Sequence, residues 1–314
     1  MLFSNAPQRV FINEVAPRDG LQNEPRFLPT EEKIRFVDRL SKTGLAKIEV
    51  TSFVSPKAIP HLRDAEEVMR SIHREPGVVY VALVPNERGT QRALECQVDE
   101  INLVMSIGEA HNLANMRMTC DQSLEQFRRV MELVRGTPLK VNGTVATAFG
   151  CPFEGDIPAS RVIWAAEQYL EMGMHSVTFA DTTGMAHPRQ VNELSQAFLG
   201  AFAGIPLTVH FHNTRGMGLA NVIAALDAGV ASFDASLGGI GGCPYAPGAS
   251  GNICTEDLVH MLETAGFDTG VALDRLLGIA KGLPDLLDHD VPGQLIRAGK
   301  RTDLHPCPTP TQGR

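Results

Sequence analysis

Eight times along this chain a short β-branched or apolar run is followed by a stretch with helical spacing, and no other feature restricts the fold as much. The strand-like runs fall at 10–15, 47–51, 78–84, 101–105, 139–147, 177–179, 207–211 and 232–237. Helical spacing occupies 30–42, 62–73, 89–96, 123–134, 159–172, 189–202, 219–228 and 256–265. Strands joined through helices run parallel, because a parallel connection has to cross the sheet, and the helices then cover its faces. Eight such units match the size of a (β/α)8 TIM barrel. A doubly wound open sheet is the competing arrangement. Residues 1–270 are read as the barrel and 271–300, rich in helix formers, as a short C-terminal helical appendage. Residues 301–314, with three prolines and little apolar content, are expected to be a disordered tail.

Composition excludes several partners. A net charge of −8 with no long basic run argues against a nucleic acid or an anionic membrane surface. Six cysteines (Cys96, Cys120, Cys151, Cys243, Cys254 and Cys307) include no CxxC pair, which reads as reduced thiols in an intracellular protein. The opening MLFSNAPQRV has no charged stretch followed by an apolar one, and no apolar run approaches the roughly 18 residues of a spanning helix. A cytoplasmic protein is expected.

A barrel concentrates its chemistry where strands hand over to the following loops. The reactive residues of this chain fall there. Arg18 and Asp19 end the first strand, Glu49 lies in the second, and Asp181 ends the sixth. His210 and His212 end the seventh, and Cys243 follows the eighth. Alternate strand residues share a face, so His210 and His212 can close on one ion. Asp19 alone is a common turn residue before glycine, and Asn252 alone is turn chemistry. Together the four offer two imidazoles, a carboxylate and an amide oxygen, a mixed set suited to Mg²⁺ or Mn²⁺. Cys243, between glycines and Pro244, has no regular element to rest in and could serve as a thiol acid/base or nucleophile. Arg18 beside a ligand is placed to stabilise an oxyanion. Glu49 in an apolar strand needs a cationic partner, for which Arg18 is the natural choice. Asp181 could cap a turn or act in catalysis. No phosphate-cradling glycine fingerprint occurs in a strand-to-helix context.

The segments EVAPRDGLQNEP (14–25), IEVTSFVSPK (48–57), GCPFEG (150–155), DTTG (181–184), HFHNTRG (210–216) and GGIGGCPYAPGASGNICTEDLVHML (238–262) resemble the 3-hydroxy-3-methylglutaryl-CoA lyase family, in the family's order. The resemblance implies a (β/α)8 barrel holding a divalent cation on Asp19, His210, His212 and Asn252. It implies catalytic roles for Arg18, Glu49, Asp181, His210 and Cys243, and a usual homodimer. The expected chemistry is a retro-Claisen cleavage of an acyl-CoA thioester to acetyl-CoA and a keto acid. His210 or Asp19 is the expected base, and Cys243 the proton donor to the enolate carbon. Gln22 and Arg215 are expected to contact substrate. The family's Asp-Thr-Tyr after the second histidine is here Asn213-Thr214-Arg215, its Lys after Asn-Glu is Pro25, and its Lys-Lys-Asn after the fourth strand is Leu113-Ala114-Asn115. These departures suggest a different acyl group, with citramalyl-CoA or a longer analogue as alternatives. A Claisen-type synthase of the same superfamily and a non-catalytic binding protein are the other readings; the glycine-rich cysteine loop argues against the synthase.

Overall fold

The computed structural model describes residues 3–242 and 251–307. Cys243 lies outside them. Eight strands, β1 (Phe11–Glu14), β2 (Lys47–Ser52), β3 (Val79–Leu83), β4 (Glu100–Ser106), β5 (Lys140–Ala146), β6 (Ser176–Asp181), β7 (Leu207–Phe211) and β8 (Ser232–Ala235), pair in sequence order. Every pairing is parallel, and β8 closes on β1 with Phe11 opposite Ser232 and Glu14 opposite Ala235. The sheet has no edge, so the barrel is correct and the open sheet is not.

Period-two alternation gives each strand two buried faces of different character. The outward face carries Ile12, Ile48, Ile101, Val141, Val177 and Phe233, all packed under the helical ring. The inward face is polar: Asn13, Glu49, Asn102, Asn142, Thr178 and Asp234 line the barrel interior. Barrel interiors are ordinarily filled by Val, Ile and Leu.

Several element boundaries depart from expectation. The stretch expected as a helix over 62–73 divides into a short turn at Pro60–Leu62 and a helix at Ala65–Ser71. The eighth strand stops at Ala235, and a tight turn at Leu237–Gly239 follows. A helix at Glu109–Met116 was not expected, so Leu113 to Asn115 lie on a helix and not in a loop. No side chain of its own caps that helix; Glu154, from a distant turn, accepts a hydrogen bond from the Ala110 N–H at 2.9 Å. The C-terminal region forms three short helices, Leu273–Ala280, Leu283–Leu287 and Leu295–Ala298, and its Leu276, Ile279 and Leu283 join the barrel's own core. Among the described residues no helix is long and apolar enough to cross a membrane.

Candidate metal centre

The site begins where β1 ends. Ala16–Gly20 is one π-helical turn in which the N–H groups of Arg18, Asp19 and Gly20 all converge on the Val15 carbonyl, at 3.1, 2.7 and 3.3 Å. Such widened turns recur at functional sites because they present successive side chains to one place. Here they present Arg18 and Asp19. The guanidinium of Arg18 donates through Nε to Glu49 Oε2 at 2.6 Å and through Nη1 to Asp19 Oδ1 at 2.6 Å. Asp19 Oδ1 also accepts from Gln22 Nε2 at 2.8 Å, and Oδ2 from Asn252 Nδ2 at 2.7 Å. Burial opposes the charge on Asp19, but Arg18, His212 and His210 outweigh it and hold the carboxyl down at about 2.

His210 and His212 point inward from the end of β7 with their Nε2 atoms 3.2 Å apart. Asp19, His210 and His212 each offer a ligand atom within 4.8 Å of the others, and all three are buried. Burial, and then His210, push the His212 imidazole down to about 4, so it is neutral and able to donate a lone pair. His210 is also penalised by burial, yet the Asp234 carboxylate on its Nδ1 side, at 3.3 Å, raises it overall. That contact places the Nδ1 proton toward Asp234 and frees Nε2, the arrangement by which a second carboxylate orients a metal-binding histidine. Asn252 arrives by main-chain pairing: the Asn213 N–H donates to the Gly251 carbonyl and the Ile253 N–H to the Phe211 carbonyl. Its Oδ1 is buried and has no hydrogen-bond partner among the described residues. Two facing imidazole nitrogens, an ionised carboxylate and an orphaned amide oxygen fit a hard divalent cation. The fit rests on those donors.

The segment leading to Cys243 packs directly on this centre. Gly241 has φ of 95°, and a Cβ there would lie 2.7 Å from the Asp19 carbonyl oxygen, so only glycine lets the chain pass. Asn23 Nδ2 donates to the Gly242 carbonyl at 2.6 Å.

A model of the HMGL-like family matches residues 9–282. The chain belongs to the HMGL-like family. A hydroxymethylglutaryl-CoA lyase of Bacillus subtilis is 45% identical over 294 residues, covering 94% of this chain and 98% of that protein. The mitochondrial hydroxymethylglutaryl-CoA lyase of Gallus gallus is 41% identical over 295 residues, covering 94% and 99%. Among solved structures, an HMG-CoA lyase from Acinetobacter baumannii in complex with coenzyme A and 3-methylmalate aligns with a TM-score of 0.93 and 53% identity, covering 96% of this chain and 98% of that one.

In this HMGL-like chain the expected ligands Asp19, His210, His212 and Asn252 come together, and Arg18 meets Glu49. Asp181 is found partly in the capping role: Oδ1 accepts from the Met185 and Ala186 N–H groups at 2.7 and 3.1 Å. Its Oδ2 is buried without a partner among the described residues, and burial pushes the carboxyl up to about 6. Arg215 is exposed, and its Nη1 is held on the Thr183 and Gly184 carbonyls at 3.0 and 2.8 Å. Three carboxylates escaped sequence reading. Asp234 is one; the register pairing His210 with Asp234 could have found it. The others are Glu14 and Glu256. Glu14 accepts from the Ala16 and Leu237 N–H groups, both at 2.9 Å, and from the Thr255 hydroxyl at 2.8 Å. Glu256 accepts from the Gly238 N–H at 3.0 Å. Together they pin the start of the glycine-rich segment. Glu256 stands in a first helical turn, where an acid is ordinary, but Glu14 is an acid in an apolar strand, the same signal that singled out Glu49.

Proposed function

We propose that this chain is a divalent-metal-dependent carbon–carbon lyase that cleaves hydroxymethylglutaryl-CoA or a close 3-hydroxy-3-carboxymethyl acyl-CoA analogue to acetyl-CoA and a keto acid. The observation that carries the reading is the buried Asp19–His210–His212 group with Arg18 alongside, in a chain of the HMGL-like family. Mg²⁺ or Mn²⁺ on these residues and Asn252 would polarise the substrate's hydroxyl and lower its pKa. Asp19, held down at about 2, is a ligand and a poor base. With its Nδ1–H on Asp234 and its Nε2 on the ion, His210 has no spare lone pair, so it takes the hydroxyl proton only where Nε2 leaves the ion. Breaking the C–C bond then moves an electron pair onto the thioester, where Arg18 meets the growing charge on oxygen, a contact worth most in the transition state. Cys243 returns a proton to the enolate carbon.

The residues expected around the acyl group are where this chain departs from the family's pattern. Arg215, one residue past the Asn213-Thr214 pair, carries a guanidinium near the mouth, with Asp181 close enough to feel its charge. It suits a substrate carboxylate, and Gln22, against Asp19, suits a substrate oxygen. Citramalyl-CoA, whose single carboxylate sits one carbon nearer the hydroxyl than that of hydroxymethylglutaryl-CoA, is the second reading. The test is acetyl-CoA release from hydroxymethylglutaryl-CoA, both citramalyl-CoA enantiomers and a longer-chain analogue, with Mg²⁺ or Mn²⁺. Cleavage of one thioester that is lost with EDTA and with Cys243→Ala supports the reading. No cleavage of any by metal-loaded protein overturns it.

A further inference from the structure

The polar interior of the barrel is wired to Arg18. Glu49 is buried and has both carboxylate oxygens engaged: Oε2 accepts from Arg18 Nε at 2.6 Å, and Oε1 from Asn102 Nδ2 at 2.8 Å. Asn102 Oδ1 then accepts from Asn142 Nδ2 at 3.0 Å. Asn142 Nδ2 donates in addition to Thr178 Oγ1 at 3.0 Å, and its Oδ1 accepts from Ser176 Oγ at 2.8 Å. The bonds step across β2, β4, β5 and β6 beneath the metal centre. A carboxylate only accepts, so the Asn102 amide can face Glu49 only through its NH₂, which turns its oxygen to Asn142. Each amide therefore has one orientation, set by the last. Such a network, satisfied at every member, fixes geometry more than it adds stability.

Arg18 is short of other restraints on the Glu49 side. A Glu49 carboxylate anchored only by Arg18 could swing about its terminal torsion, which is broad and roughly two-fold, and carry the guanidinium with it. We propose that Asn102 and Asn142 are positioning residues of this enzyme: by locking the plane of Glu49 they aim Arg18 at the thioester oxygen. The proposal rests on the lyase reading for what Arg18 is aimed at, but the alignment itself can be observed without turnover. It also explains why amides stand where this fold ordinarily packs aliphatic side chains. Leucine at 102 would fill a similar volume and leave Glu49 with one buried oxygen unpaired, and valine at 142 would do the same to the Asn102 amide oxygen.

The experiment pairs Asn102→Leu with Asn142→Val. Neither side chain hydrogen-bonds Asp19, His210 or His212, and Asp19 keeps Gln22 and Asn252 when Arg18 turns, so Mn²⁺ affinity by EPR titration should fall far less than kcat does. With the cleaved thioester, kcat should fall by about 10- to 100-fold while KM changes little, since misaiming a group by an ångström costs on that order. Asn142→Val should give the same pattern with a smaller loss. Independently, the Arg18 Nε–H resonance in ¹⁵N-arginine-labelled protein, assigned by its disappearance in Arg18→Lys, should shift and exchange faster with water in Asn102→Leu. An unchanged resonance overturns the proposal, whether or not the wild type turns over any thioester of the panel. So does a variant that melts earlier at unchanged kcat, because that is the mark of a structural role alone. Failure of the wild type to cleave any thioester would sink the lyase reading, and the resonance would still decide the alignment.

Discussion

Glu256→Gln should make this protein more resistant to alkaline pH. Glu256 is fully buried, accepts one hydrogen bond from Gly238, and leaves its other oxygen without a partner among the described residues. Burial above all, with Asp257 and Glu14 nearby, pushes its carboxyl from 4.5 up to about 8. The folded protein thus holds this proton more tightly than the unfolded chain does. Its contribution to stability is complete below pH 4.5 and is lost as pH rises through 8. At roughly 1.4 kcal/mol per pH unit the whole loss is about 5 kcal/mol, and about 2–3 kcal/mol of it falls between pH 6 and 9. Glutamine keeps an acceptor for Gly238 and never ionises. Guanidinium unfolding of both proteins at pH 6 and 9 isolates the effect, since every other titrating group is common to the two. The stability difference should move by about 2–3 kcal/mol in favour of the variant at the higher pH. Two curves that stay parallel would show that Glu256 is not a buried, proton-holding carboxyl, and the account of how the glycine-rich segment is anchored would fall with it.

Three further outcomes follow from the site. Asp234→Asn removes the carboxylate that fixes the His210 tautomer and should weaken Mn²⁺ binding by about 10- to 100-fold; an unchanged titration by EPR would refute the orienting role. Gly241→Ala puts a methyl 2.7 Å from the Asp19 carbonyl at a φ of 95°, so it should destabilise the protein by more than about 1 kcal/mol and abolish activity. A variant that melts and turns over normally would sink that packing argument. Metal affinity should fall as pH drops through the histidine range, because Asp234 raises the proton affinity of His210 and a proton competes with the ion. Asp19, held at about 2, contributes nothing to that fall. Equal Mn²⁺ dissociation constants at pH 5.5 and 7.5 would contradict it.

Much of the centre was legible because ligands in a barrel obey local rules. His210 and His212 are two apart on one strand, so their common face follows from alternation alone. Arg18 and Asp19 follow β1 directly, and the barrel places every such junction at one mouth. Glu49 could be matched to Arg18 because an acid in an apolar strand needs a partner and Arg18 ends the neighbouring strand, whereas Glu14, the same signal, finds N–H and hydroxyl donors. Asp234 obeys no such rule. It sits in Ser-Phe-Asp-Ala, an ordinary alternating strand, and acquires its role only from lying opposite His210. The helix at Glu109–Met116 was missed for a similar reason: its first turn is completed by Glu154, 44 residues away.

The chain's periodicity therefore pointed to the barrel ahead of the open sheet, and residue spacing together with the family resemblance pointed to Asp19, His210, His212 and Asn252 as candidate ligands. What the tertiary structure alone decided is the inner face. Alternation reveals that a strand has two faces, but both are buried in a barrel, and hydrophobic pattern cannot say that one is a lattice of amides, hydroxyls and carboxylates. Which of these bond to which depends on the register between neighbouring strands, as where β8 closes on β1 with Asn13 opposite Asp234. The β4–β5 register sets Asn142 against Asn102, the β7–β8 register sets Asp234 against His210, and Asn102 reaches Glu49 past β3, so each pair is joined through the sheet and not along the chain.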